Sequence, residues 1–147
     1  MGKKKEPDMK SWSGRMKEWG GGDFTFLSED GETITFIVVG LPELMDSNYK
    51  GKAGKRIGVP AVTENGYQLF VCGKRVGRKL SKVEKAFDTN AIMVVRHGVG
   101  GDTDAKYDVK VLPEKETFDA LMKIKAEDFE PSMIPDSIKD ALVVMAG

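Results

Sequence analysis

Arg96, His97, Lys106 and Tyr107 bracket a turn built from Gly98, Gly100, Gly101, Asp102 and Asp104. Cations and an aromatic ring at a strand end are the parts that hold a phosphate and stack a base. The flanking segments must position them. Residues 91–95 form a short apolar run of the kind a buried strand shows, and Tyr107, Val109 and Val111 alternate with Lys106, Asp108 and Lys110. The glycines between supply the positive-φ geometry of a reversing chain. A hairpin presenting Arg96 and Tyr107 is the expectation.

Enzymatic readings of the same residues lack parts. Val94-Val95-Arg96-His97-Gly98 resembles the opening signature of histidine phosphatases and phosphoglycerate mutases, in which a second histidine completes the site. This chain has one histidine, and about 50 residues follow it. One Cys and one His cannot build a tetrahedral zinc site from soft ligands. Asp102 and Asp104 are residue types of a tight turn as much as of a cation site. The glycine spacing around Gly73 and Gly77 does not make a phosphate-cradling loop. No enzyme, metal or cofactor is expected.

Charge segregation points to a polyanion instead. The net charge is zero, yet residues 21–49 carry −6 and residues 50–85 carry +8, while 1–20 carry +3 and 113–147 carry −4. A block of 36 residues at +8 is an electrostatic footprint for nucleic acid. With 147 residues, 40% hydrophobic and 31% charged, the chain is long enough for one globular domain with its own core. The single cysteine rules out an internal disulfide and suits a reducing compartment. No apolar run approaches the roughly 20 residues of a membrane span, so a cytoplasmic location is expected.

In chain order, residues 1–22 are expected to form a basic arm in which Trp12, Met16 and Trp19 share one helical face. Phe24 and Phe26, then Ile34, Phe36 and Val38, follow period two around Asp30-Gly31, the expected hairpin turn. Residues 42–55 read as a loop in which Tyr49 sits among Lys50, Lys52 and Lys55, a flap for a bound strand. Residues 56–62 and 67–72 read as a hairpin about Asn65-Gly66, with Pro60 marking an edge or a bulge. Val76, Leu80, Val83 and Phe87 then fall at helical spacing, with Arg75, Arg78, Lys79, Lys82 and Lys85 turned away. Two helices are expected in residues 114–147, the second lined by Ile138, Leu142 and Met145.

Two pieces carry a family resemblance. Arg96, Gly98, Gly100, Asp102 and Thr103, followed by Tyr107 and Pro113, resemble the last hairpin of the phage single-stranded-DNA-binding proteins of the T4 type. FTFLSEDGETITFIVVGLPE, residues 24–43, resembles that family's opening strand, Asp-Gly-Glu turn and long strand. The resemblance spans residues 24–113 in outline and implies a role in phage DNA replication, recombination or repair, with the host cytoplasm as location. It also implies assembly of copies along the strand and contact with replication or recombination proteins. The family's zinc-binding insertion has no counterpart, since residues 42–55 hold none of its ligands. In that family an acidic C-terminal segment competes with DNA. Here the segment is short and apolar-striped, and packing is its expected role.

The expected fold is mainly β: a five- or six-stranded OB-type barrel over residues 23–113 with one internal helix, a basic arm over 1–22 and an acidic helical segment over 114–147. The expected function is largely sequence-independent binding of single-stranded DNA. Lys55, Arg56, Lys74, Arg75, Arg78, Lys79, Lys82 and Arg96 would line the groove, and Tyr67 and Tyr107 would stack bases. Phe36 and Phe70 alternate with apolar neighbours and are expected in the core. The competing reading is an OB-type protein-interaction module that binds no nucleic acid.

Overall fold

A computed structural model describes residues 24–27, 29–49, 52–98 and 105–145. The expected N-terminal helix with Trp12 and Trp19, and turn residues Gly100 to Asp104, lie outside the described residues. The strands are β1 (Phe24–Thr25), β2 (Thr33–Val38), β3 (Glu43–Tyr49), β4 (Lys52–Thr63), β5 (Gly66–Cys72), β6 (Ile92–His97) and β7 (Lys106–Val111). Helix α1 (Lys74–Lys82) and a 3-10 turn at Glu84–Ala86 separate β5 from β6, and α2 (Lys115–Asp128) and α3 (Met133–Met145) close the chain. Among the described residues no helix is long and apolar enough to cross a membrane.

The fold is mainly β, as expected, but the expected closed barrel is not formed. The strands make one mixed sheet in the order β1-β5-β4-β2-β6-β7, with β3 paired to the outer half of β4. No ladder joins β7 to β5 among the described residues. Helix α1 packs against both β4 and β7 and so touches both halves of the sheet. The sheet curls around Phe36, Phe70, Ile92 and Val94, and α1 contributes Val76 and Leu80 to the same cluster. Phe36 and Phe70 are fully buried, their ring centroids 5.5 Å apart, as their apolar alternation predicts.

The expected hairpin between residues 24–26 and β2 is replaced by another pairing. β2 is paired along its length by other strands, with β6 from Thr33↔Val95 to Phe36↔Ile92 and with β4 at Ile37↔Val62 and Val38↔Ala61. β1 runs instead parallel to β5, with Phe24 opposite Leu69. The Asp30-Gly31 turn forms all the same, with Gly31 at φ 80°, and its outgoing chain bonds to β6 through the Gly31 amide and the Arg96 carbonyl.

Residues 42–55 are not the expected loop. Glu43–Tyr49 and the first half of β4 form a two-stranded arm, paired from Glu43↔Gly58 to Tyr49↔Lys52. Its polar, small residues hide the strand from pattern reading, and among Glu43 to Asn48 Met45 alone is buried. Of the edge or bulge expected at Pro60, the edge is not found, because β4 is central. The partner of β4 changes from β3 at Gly58 to β2 at Ala61, and Pro60 sits in the gap between those ladders. Its carbonyl accepts from the Val39 amide, and its missing N–H faces the same break, so no ladder bond is lost.

The C-terminal helices cover the sheet's other face. α2 packs on β2, β4 and β5, burying Leu121 with Ile37, Val62 and Tyr67, while α3 packs on β1, β3 and β5. This explains why both faces of β2 turn apolar at Phe36 and Ile37: one faces the inner cluster and the other faces α2. In α3 the deepest residues are Ser137 and Ala141, so the buried stripe is rotated from the expected one and Leu142 stands at the surface.

Candidate nucleic-acid interface

α1 is where the basic block becomes a surface. The helix begins at Gly73, buries Val76 and Leu80, and exposes Lys74, Arg75, Arg78, Lys79 and Lys82. Apolar side chains at i and i+4 fix one face inward, so the cations must take the other. The first turn holds no acid, and two cations there oppose the helix dipole, which favours negative charge at that end. The positive ends of the peptide dipoles and the side-chain charges therefore add at the head of α1. Arg56, on β4, brings a guanidinium nitrogen to 3.6 Å from where a Cβ on Gly73 would stand, extending the basic surface onto the sheet.

None of Arg56, Lys74, Arg75, Arg78 and Lys82 forms an ion pair among the described residues. Lys79 donates from Nζ to the Tyr107 carbonyl, which anchors α1 to β7. Lys55 belongs to the β3–β4 arm and pairs across it with Asp46, so its charge is locally offset. Cys72 lies beneath Arg56 at the end of β5. Burial pushes its thiol up to about 12, against the opposing pull of the Arg56 charge.

Three residues expected at the groove are engaged elsewhere. Tyr67 is 6% exposed, stacks on Phe129 with centroids 5.3 Å apart, and holds its hydroxyl 2.7 Å from Ser137 Oγ. A ring so enclosed offers no face to a base, which corrects the expected stacking role. Arg96 is 7% exposed. Its Nη1 donates to the Tyr107 hydroxyl at 2.7 Å and to the Leu27 carbonyl at 3.3 Å, and its Nε donates to the Gly98 carbonyl at 3.2 Å. Its cation is spent inside the fold, not on a phosphate, a second correction. Tyr107 is half-buried against the inner cluster with its hydroxyl committed to Arg96. His97 is exposed, with Nε2 2.9 Å from a carboxylate oxygen of Asp108 on the neighbouring strand.

Pattern reading missed one feature beside α1, a cavity of about 390 Å³ between that helix, β4 and the turn at residues 40–42. Buried Val59 and Leu80 and half-buried Ile57 and Phe87 supply apolar lining, and the exposed Lys74 and Arg78 stand at its mouth. A glycine inside a helix, Gly77, is the sequence signal that could have pointed there, since a Cβ on it would meet Ile57 at 3.4 Å.

A scan against protein-family models and searches of curated proteins and of solved structures found no match to this chain. The functional reading therefore rests on the surface itself.

Proposed function

We propose that the protein binds single-stranded DNA, largely without regard to sequence, through the basic face of α1 and its continuation onto β4. One observation carries the reading: Arg56, Lys74, Arg75, Arg78 and Lys82 are exposed together and have no acidic partner among the described residues. Uncompensated charge of one sign, set on a rigid element, raises the local concentration of a polyanion. Work in phage DNA replication, recombination or repair follows from the family resemblance and belongs to the same proposal.

The strand connectivity supports the reading. β2 lies between β4 and β6, β4 pairs with β5, β6 pairs with β7, and α1 links β5 to β6. A partly open Greek-key sheet of five strands with one linking helix is an OB-type arrangement, a recurrent carrier of oligonucleotide sites. The reading proposed for the fold is accordingly a partly open OB-type arrangement, with α1 packed on β4 and β7.

A second reading, a protein-interaction module, has its own support in the exposed Leu44, Val143 and Val144. Anisotropy of a labelled oligothymidylate, titrated with protein at several salt concentrations, separates the two. Strand binding gives a log–log salt slope of about −0.7 for each phosphate neutralised and weaker binding to a duplex of the same length. No binding, or equal binding to duplex, would refute it.

A further inference from the structure

The cavity between α1 and β4 has a composition that the strand-binding reading leaves unused. Its buried and half-buried lining is aliphatic and aromatic, yet two exposed cations stand at its mouth. Lys74 and Arg78 are four residues apart on α1 and so share the face that borders the opening. Leu41 also lines the cavity and, at 80% exposed, forms part of its lip, an apolar side chain left uncovered beside a hole that is also apolar. Ser81 and Glu84 add a hydroxyl and a carboxylate to the lining.

We infer that this cavity takes one nucleobase of a bound strand, with Lys74 and Arg78 on the phosphodiester that carries it. The inference rests on the strand-binding reading and assigns it a base subsite. A flat apolar group tethered to an anion matches an apolar slot with a cationic mouth, and every nucleobase has an N–H that Ser81 or Glu84 can accept. An acidic, apolar peptide side chain shares part of that chemistry. The basic row, however, continues along α1 beyond the mouth through Arg75 and Lys82. A ligand that meets all of them carries anions at regular intervals along its length, as a nucleic acid backbone does. The site differs from open stacking on strand aromatics, because Phe36 and Phe70 are buried and Tyr67 is enclosed.

The test fills the hole from its exposed rim. Ser81→Trp places a ring over the opening from a surface position of α1, and Leu41→Ala removes the lip at a residue that supports no core packing. Each variant is titrated with oligothymidylate and with an abasic deoxyribose-phosphate oligomer of equal length, and urea midpoints confirm that both variants fold. Ser81→Trp is expected to weaken oligothymidylate binding about tenfold, the worth of one base contact, with abasic affinity and salt slope unchanged. Leu41→Ala is expected to weaken the same ligand, by less. Equal weakening of both oligomers overturns the base pocket. So does unchanged oligothymidylate affinity in Ser81→Trp, the result expected of a cavity that serves an acidic peptide. If the unaltered protein binds neither oligomer, the strand-binding reading itself falls.

Discussion

Arg96 and Tyr107 face each other across β6 and β7, and the guanidinium donates to the phenol oxygen at 2.7 Å. With the carbonyls of Leu27 and Gly98, that bond ties the last hairpin to the chain before the Asp30-Gly31 turn. The pair is internal bracing, not two separate ligands for a nucleic acid.

Hydrogen bonds to a buried charge are worth about 1.5–3 kcal/mol. Tyr107→Phe should lower the unfolding free energy by that amount, and Arg96→Met by at least as much. Urea denaturation at neutral pH measures both. Oligonucleotide affinity of the folded variants should stay unchanged, and a selective loss of affinity without loss of stability would contradict the bracing role.

Several parts of this were legible in the residues alone. The hairpin at Arg96 and Tyr107, the turn at Asn65-Gly66, the stripe Val76–Leu80 and the two C-terminal helices all follow from local periodicity, which one segment can express by itself. The pairing of β1 with β5 sets Phe24 opposite Leu69, two segments far apart in the chain, and neither segment contains that fact. The inward turn of Arg96 was hidden for a similar reason. Its backbone acceptors come from Leu27, 69 residues earlier, and from Gly98, and their convergence exists only in the folded chain. The cavity was invisible because its lining comes from three separate stretches, 38–42, 57–59 and 74–87.

Tyr67 joins the sheet to α3. Ser137 Oγ donates its single proton to the Ile134 carbonyl at 2.8 Å, so at the Tyr67–Ser137 contact the phenol is the donor. Tyr67→Phe removes one buried hydrogen bond and keeps the stack on Phe129. The expected loss is about 0.5–1.5 kcal/mol in urea denaturation, with no change in oligonucleotide affinity.

Gly40 sits where the end of β2 meets α3. A Cβ there would stand 2.9 Å from Ile134 Cδ1 and 3.2 Å from two carbons of the Pro60 ring, and the ring cannot swing aside. Gly40→Ala should therefore destabilise by about 1–3 kcal/mol through overpacking. A thermal melt comparing it with Gly54→Ala, at an exposed strand position whose nearest neighbour is a serine hydroxyl, controls for loss of glycine.

Cys72 gives a pH signature. Burial raises its thiol from 9.0 to about 12, so above pH 9 the unfolded chain loses this proton first. Its contribution is complete below pH 9 and is lost as pH rises toward about 12, at up to about 1.4 kcal/mol per pH unit. Unfolding free energies at pH 8 and pH 10.5 should fall more steeply for the unaltered protein than for Cys72→Ala. Parallel slopes would show that the thiol is accessible in the folded state.

The central claim is that the uncompensated cations of α1 hold the backbone of a single strand. Its most direct test is the salt dependence of oligothymidylate binding in a triple variant, Arg75→Gln, Arg78→Gln and Lys82→Gln, beside the unaltered protein. Three lost phosphate contacts should make the log–log slope shallower by about 2, with affinity reduced at every salt concentration. An unchanged slope would contradict the claim, because it would place the charge that meets the strand somewhere other than α1.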